Sequence, residues 1–302
     1  MKTVSSACLV AAALVAGYLP LTAAGSARLT HLVSVYADDK QVALHLPEGV
    51  ACGTGGVVVI GDTGNDRLVR FTYRDRTLGP IGEVKIPQLT APSRVQLTSK
   101  GEIYALDSRQ RRIVHLDSKG QFKDALAFDG VPAPATIVPK SFAIDSADNV
   151  YVLDEFSARV LVVDAQGRFQ RSLPLPNDIG FATDLATDFE GNVLLLDSVK
   201  RRIFTAAKDA KTFTQLDGPL TSSVATMPTS ITATKGILFV AEGSGSTLDT
   251  FGRDGRFLSR LLTIGTTEGL LDHPSQLCVN DKDEVFIADR DNSRVQVFQL
   301  TR

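Results

Sequence analysis

Six acidic residues recur along this 302-residue chain: Asp62, Asp107, Asp154, Asp197, Glu242 and Asp289, at steps of 45, 47, 43, 45 and 47. Five positions after each comes Arg67, Arg112, Arg159, Arg202, Thr247 or Arg294. A carboxylate at a turn accepts hydrogen bonds from loop amides. A guanidinium five residues on can fork onto that carboxylate or onto a nearby carbonyl. Six copies are more than one active site needs, so the pairs are read as pins for hairpins. Partly exposed, each is worth only ~0–1 kcal/mol. The fifth copy, Glu242 with Thr247, lacks the pair, and its hairpin is expected to be the most mobile. The other reactive candidates are His31, His45, His115 and His273, with Cys8, Cys52 and Cys278. Ser93, Ser141, Ser230 and Ser275 have no His and Asp grouped with them, so a nucleophilic triad is not indicated.

The elements that carry these residues are short and β-type. Each acid closes an apolar run such as Val57–Ile60, Ile103–Leu106 or Val285–Ala288. A second run follows each basic residue, and Pro47, Pro92, Pro139, Pro228 and Pro274 introduce an upstream segment. No unit shows a 3.6-residue period. A repeat near 45 residues with four strands per unit predicts an all-β, six-bladed β-propeller of antiparallel four-stranded sheets. The final unit stops at Arg302, soon after its third strand, whereas residues 29–46 hold a spare β-type stretch centred on Leu32–Tyr36. That N-terminal strand is expected to complete the last blade and leave no open edge.

Composition bounds the function. Charged residues are 22%, the hydrophobic set is 43%, and net charge is −2, which excludes a basic nucleic-acid footprint over the whole chain. No Trp is present, so sugar recognition by indole stacking is excluded. Residues 1–27 read as a signal peptide: Lys2, an apolar run of 13 residues from Ala7 to Leu19, then small residues up to Ala27. The run is too short to cross ~30 Å of hydrocarbon. Export with cleavage, to the periplasm or medium, is expected. The mature domain is then 28–302, with no stable membrane insertion. Cleavage removes Cys8 and leaves Cys52 and Cys278 in the innermost strands of blades one and six. Aligned to the acids that follow them, Cys52 matches Val279, so the two thiols point to opposite faces of their sheets. Two buried free thiols are therefore expected, with a bridge as the alternative.

The stretch 57–71, with Asp-Thr-Gly-Asn-Asp-Arg between two apolar strands, is similar to the NHL repeat, and so is 285–298. The repeats at 102–116, 150–163 and 192–204 keep Asp and Arg, and 238–251 departs most. The resemblance covers about 30–300 and is specific for fold. It implies a ligand site on the top face, where the entry loops meet the hairpins joining second and third strands. Lyases of that type gather several His at the channel mouth. The corresponding positions here hold Gly49, Arg94, Ser141, Asp184, Ser230 and Gln276, and only His273 lies in an entry loop, so a zinc site is not supplied. The loops are instead basic over blades two to four: Arg94, Arg109, Arg111, Lys140, Lys200 and Arg201. With Asp184 these are the expected binding residues, and no catalytic or metal set is assigned. No cofactor is expected, although Asp184 and backbone carbonyls could hold calcium. The resulting expectation is a monomeric, non-catalytic protein outside the cytoplasm, binding a protein segment or anionic polymer. Nucleic acid is not expected as a partner, although some NHL propellers bind RNA through a basic top face. A metal-assisted lyase or lactonase at the channel mouth is the alternative.

Overall fold

The computed structural model describes residues 27–218 and 227–302, so the leader expected at 1–27 lies outside them save for Ala27. Six four-stranded antiparallel sheets form the blades. Blade one runs Gly49–Cys52, Val57–Asp62, Arg67–Arg74 and Thr77–Val84 from the axis outward. The innermost strands of blades two to six are Pro92–Leu97, Pro139–Ile144, Ala182–Thr187, Pro228–Ala233 and Pro274–Val279. The strand Arg28–Val35 pairs antiparallel with Arg294–Thr301 and is the outermost strand of blade six. It begins four residues before the expected core and leaves out Tyr36.

The second strands are continuous apolar runs because both of their faces are buried. Successive side chains point to opposite faces. Val58 and Ile60 thus enter the core shared with blade six, beside Phe286 and Val295, whereas Val59 enters the core shared with blade two, beside Val95 and Ala105. The hydrophobic core is a series of such layers between neighbouring blades.

Each hairpin after the recurrent acid turns through a left-handed residue four positions on: Asp66, Arg111, Ala158, Arg201, Ser246 and Ser293, with φ between 47° and 57°. The acid holds the turn and also reaches the loop entering its own blade. Asp62 Oδ1 accepts from the His45 amide at 2.7 Å, Asp107 from Thr90 at 2.7 Å, and Asp289 from Asp272 at 2.7 Å. The Arg five residues on donates to carbonyls further back in the same connection. Arg112 reaches Gln88, Arg159 reaches Pro134, Arg202 reaches Asp178, and Arg294 reaches Thr266, Thr267 and Leu270. The pairs therefore clamp the connection between blades as well as the hairpin. They are also more deeply buried than expected: Asp62 and Asp289 are fully buried, and Arg67 and Arg294 nearly so. Breaking such a buried pair costs about 3–5 kcal/mol, well above the surface value.

Blade five differs. Glu242 and Thr247 are buried, and neither Glu242 Oε2 nor Thr247 Oγ1 has a partner. The connection that an Arg would clamp falls at 219–226, outside the described residues. Burial, and then the neighbouring Asp249 carboxylate, push Glu242 up to about 7.

Cys52 and Cys278 are bridged, with Cα atoms 6.0 Å apart, which corrects the expectation of free thiols. Their opposite facing is real, but its consequence is the reverse of the one drawn from it. Neighbouring blades meet through the forward face of one and the rear face of the next. Residues on opposite faces of equivalent sheets are therefore the ones that can touch. The bridge joins blades six and one across the seam that the N-terminal strand also closes.

Two outcomes follow. Cys52→Ser should lower stability by about 5 kcal/mol, as expected for opening a loop of 226 residues. Denaturant midpoints, with alkylation lacking reductant as the control, measure this. Glu242 keeps its proton more tightly folded than unfolded, so its contribution is intact below about 4.5 and is lost as pH rises through about 7. Unfolding Glu242→Gln and its parent from pH 4 to pH 8 should show the variant gaining about 3 kcal/mol relative to the parent.

Candidate functional site

Five of the six innermost strands carry a register shift at their start: Pro92/Arg94, Pro139/Ser141, Ala182/Asp184, Pro228/Ser230 and Pro274/Leu277. Blade one has none. A bulge re-aims side chains and lets two consecutive residues face the axis. The first of each pair, Ser93, Lys140, Thr183, Thr229 or Ser275, lines a cavity of about 430 Å³ at the channel mouth. The second residues, Arg94, Ser141, Asp184, Ser230 and Gln276, sit one layer deeper.

That deeper layer ties the ring together. Arg94 Nη2 donates to the Thr229 carbonyl at 2.8 Å and Nη1 to Ser275 Oγ at 3.1 Å, so it reaches from blade two to blades five and six. Its Nε lies 3.6 Å from Asp184 Oδ1. Asp184 accepts from Ser141 Oγ of blade three and from the Ile231 amide of blade five at 2.9 Å. Gln276 Oε1 accepts from the Val50 and Val95 amides at 3.1 and 2.9 Å. Arg94 thus crosses the axis as the floor of the cavity. Both Asp184 oxygens are engaged, and calcium there would have to displace a guanidinium.

The structure brings four of the seven expected binding residues to the axis. Arg94, Arg111 and Lys140 line the cavity, and Asp184 lies beneath it. Arg111 has no ion-pair partner among the described residues, and Lys140 has only the Phe181 ring, 5.2 Å below its Nζ. The other three point elsewhere. Arg109 is an exposed rim residue 3.4 Å from Asp66. Lys200 Nζ donates to the Asp178 carbonyl at 2.5 Å, and Arg201 lies in the field of Glu242. Hairpin position alone does not say which way a side chain on a left-handed turn will lean.

The opposite wall was only half visible in the sequence. His273 lines the cavity, and its Nδ1 lies 2.8 Å from Asp272 Oδ1 and 3.1 Å from Asp291 Oδ2. Asp291 comes from the blade-six hairpin, so only folding brings it to the entry loop. Among the described residues these three form the one group of ligand atoms close enough to share a metal ion. Arg290 competes for that group, with Nη1 2.5 Å from Asp291. Arg290 also pairs with Glu48 at 3.0 Å, leaving Arg111 and Lys140 as the uncommitted cations of the cavity.

The NHL repeat profile matches residues 271–298. The match falls on blade six of a six-bladed β-propeller whose ring is closed by the N-terminal strand. No curated protein matches it in sequence. Solved structures resemble it at low identity. A catalytically inactive virginiamycin B lyase from Staphylococcus aureus with quinupristin is 14% identical, covering 91% of this chain and 100% of that one, at TM-score 0.61. A gluconolactonase from Xanthomonas campestris is 14% identical, covering 91% and 95%, at TM-score 0.64. A chain of a nidogen/laminin complex is 14% identical, covering 78% and 92%, at TM-score 0.60. These likenesses establish the fold.

Asp184→Ala removes a buried carboxylate that joins blades three and five and faces Arg94. It should cost about 3 kcal/mol in urea unfolding, whereas Lys200→Ser should stay within about 0.5 kcal/mol.

Proposed function

We propose that this is an exported, non-catalytic binding protein that takes an anionic group of its partner into the channel mouth. The supporting observation is that Arg111 and Lys140 converge on the cavity with no ion-pair partner among the described residues, above the charged floor of Arg94. Cations gathered at one mouth without ion-pair partners favour an anion, and the attraction weakens as salt screens it. A cavity of about 430 Å³ suits a side chain or a short segment. The Cys52–Cys278 bridge supports an oxidising compartment, periplasmic or extracellular.

A second reading, a metal-assisted lyase or lactonase, is favoured by one feature. His273 lines the same cavity with Nδ1 held between two carboxylates, as a proton-transferring imidazole would be. Stoichiometric metal in the purified protein, with turnover of a model lactone lost in His273→Ala, would favour it.

The binding reading is tested by titrating citrate and short oligoglutamate into the protein and its Arg111→Ser/Lys140→Ser variant. Affinity should fall about tenfold or more in the variant, together with a shallower salt dependence. Unchanged affinity and salt response would remove the proposal.

A further inference from the structure

The residue two positions after the recurrent acid occupies one place on every top-face hairpin. It is Arg109 in blade two and Asp291 in blade six, but Phe156 in blade three and Val199 in blade four. The residue just before the innermost strand is His273 in blade six, but Phe181 in blade four and Met227 in blade five. Phe156, Phe181, Val199 and Met227 are 60%, 39%, 64% and 54% exposed. Scattered exposed apolar residues need no explanation. Here two sit on the hairpins of blades three and four and two before the innermost strands of blades four and five, where blade two carries Arg109 on its hairpin and blade six carries Asp291 and His273 at the two positions.

The strip adjoins the site already described. Lys140 lies over the Phe181 ring, and the Ser198 amide donates to the Phe181 carbonyl at 3.0 Å. A side chain added at Gly180 would meet Val199 Cβ at 2.9 Å, so Phe181 and Val199 share one corner. Lys200 and Arg201 follow Val199 directly. Apolar residues beside the uncommitted cations Arg111 and Lys140 complement one kind of segment. It would carry one or two large apolar side chains between carboxylates.

We infer that blades three to five form a docking strip for an acidic, apolar-studded peptide segment of a partner protein, whose carboxylate enters the channel mouth. The inference rests on the anion-binding reading above and adds the chemical class of the partner. Aromatic and aliphatic anchors supply affinity, and the cations supply orientation. A peptide engages the strip, the cations and the rim hydroxyls of Thr183 and Thr229 together, whereas a bilayer surface would use the strip alone.

The test titrates two blocked pentapeptides, DFELD and DSESD, into the protein, Phe156→Ser/Val199→Ser, and Arg111→Ser/Lys140→Ser. Expected is about tenfold tighter binding of DFELD by the parent. That preference should vanish in Phe156→Ser/Val199→Ser, and both peptides should weaken in Arg111→Ser/Lys140→Ser. Equal affinity of the parent for both peptides overturns the docking strip and leaves the anion site standing. Binding of neither peptide, with citrate still bound, also overturns the strip alone; loss of citrate as well overturns both readings. Binding to phosphatidylglycerol vesicles that needs Phe156 and Val199, with no peptide binding, reassigns the strip to lipid and overturns the inference. Phe156→Ser alone replaces the double variant if the latter unfolds.

Discussion

A buried carboxylate that holds a hairpin with one edge and the incoming connection with the other is the interaction on which this ring depends. Away from the axis, blades meet mainly through their apolar faces and their connections. Face packing is tolerant of small rotations, because one layer of Val, Ile and Leu can slide over another. A charge-assisted hydrogen bond is not tolerant, since a few tenths of an ångström weakens it. Asp62 on the His45 amide and Asp289 on the Asp272 amide therefore set the angle between each blade and its predecessor. Arg294, gripping three carbonyls, repeats the constraint from the other side of the same connection. Because the loops so fixed carry the channel mouth, the clamp also places the site.

The ring closes inside blade six, where the N-terminal strand joins the C-terminal ones, and residues 36–48 then connect that strand to blade one; the seam between these two blades is held at three places. The N-terminal strand supplies hydrogen bonds to Arg294–Thr301, and Arg67 binds Asp38 and Asp62 at 2.5 and 2.7 Å, fastening the segment that leaves that strand to blade one. Near the axis, the Cys52–Cys278 bridge does the same covalently. Outer edge, connection and inner edge of the seam are each secured by a different chemistry.

Across the axis the same logic produces function-bearing geometry. Arg94, Asp184 and Gln276 each satisfy polar groups of other blades, as buried polar groups must. Through Arg94, which reaches from blade two to blades five and six, this layer forms the floor of the mouth. Above this layer Lys140 and Arg111 line the mouth without ion-pair partners among the described residues. A rigid floor under adaptable side chains is the arrangement in which a propeller presents a site on loops without losing precision.

How much of this was legible differs by kind of residue. The acid–Arg spacing, the apolar runs and the spare N-terminal stretch determined blade number, strand order and ring closure from sequence alone. These are local or periodic signals, and periodicity survives in one dimension. The basic character of blades two to four was equally visible. Which of those cations share a cavity was decided only by folding, because Arg109, Arg111 and Arg201 sit on left-handed turns whose side-chain direction depends on neighbouring loops. The meeting of His273 with Asp291 was likewise settled by the packing of an entry loop against a hairpin. The cysteine bridge is the sharpest case. Sequence alignment gave the facing of both thiols correctly, but whether opposite faces separate or join two residues depends on which sheets are neighbours, and that is a property of the closed ring.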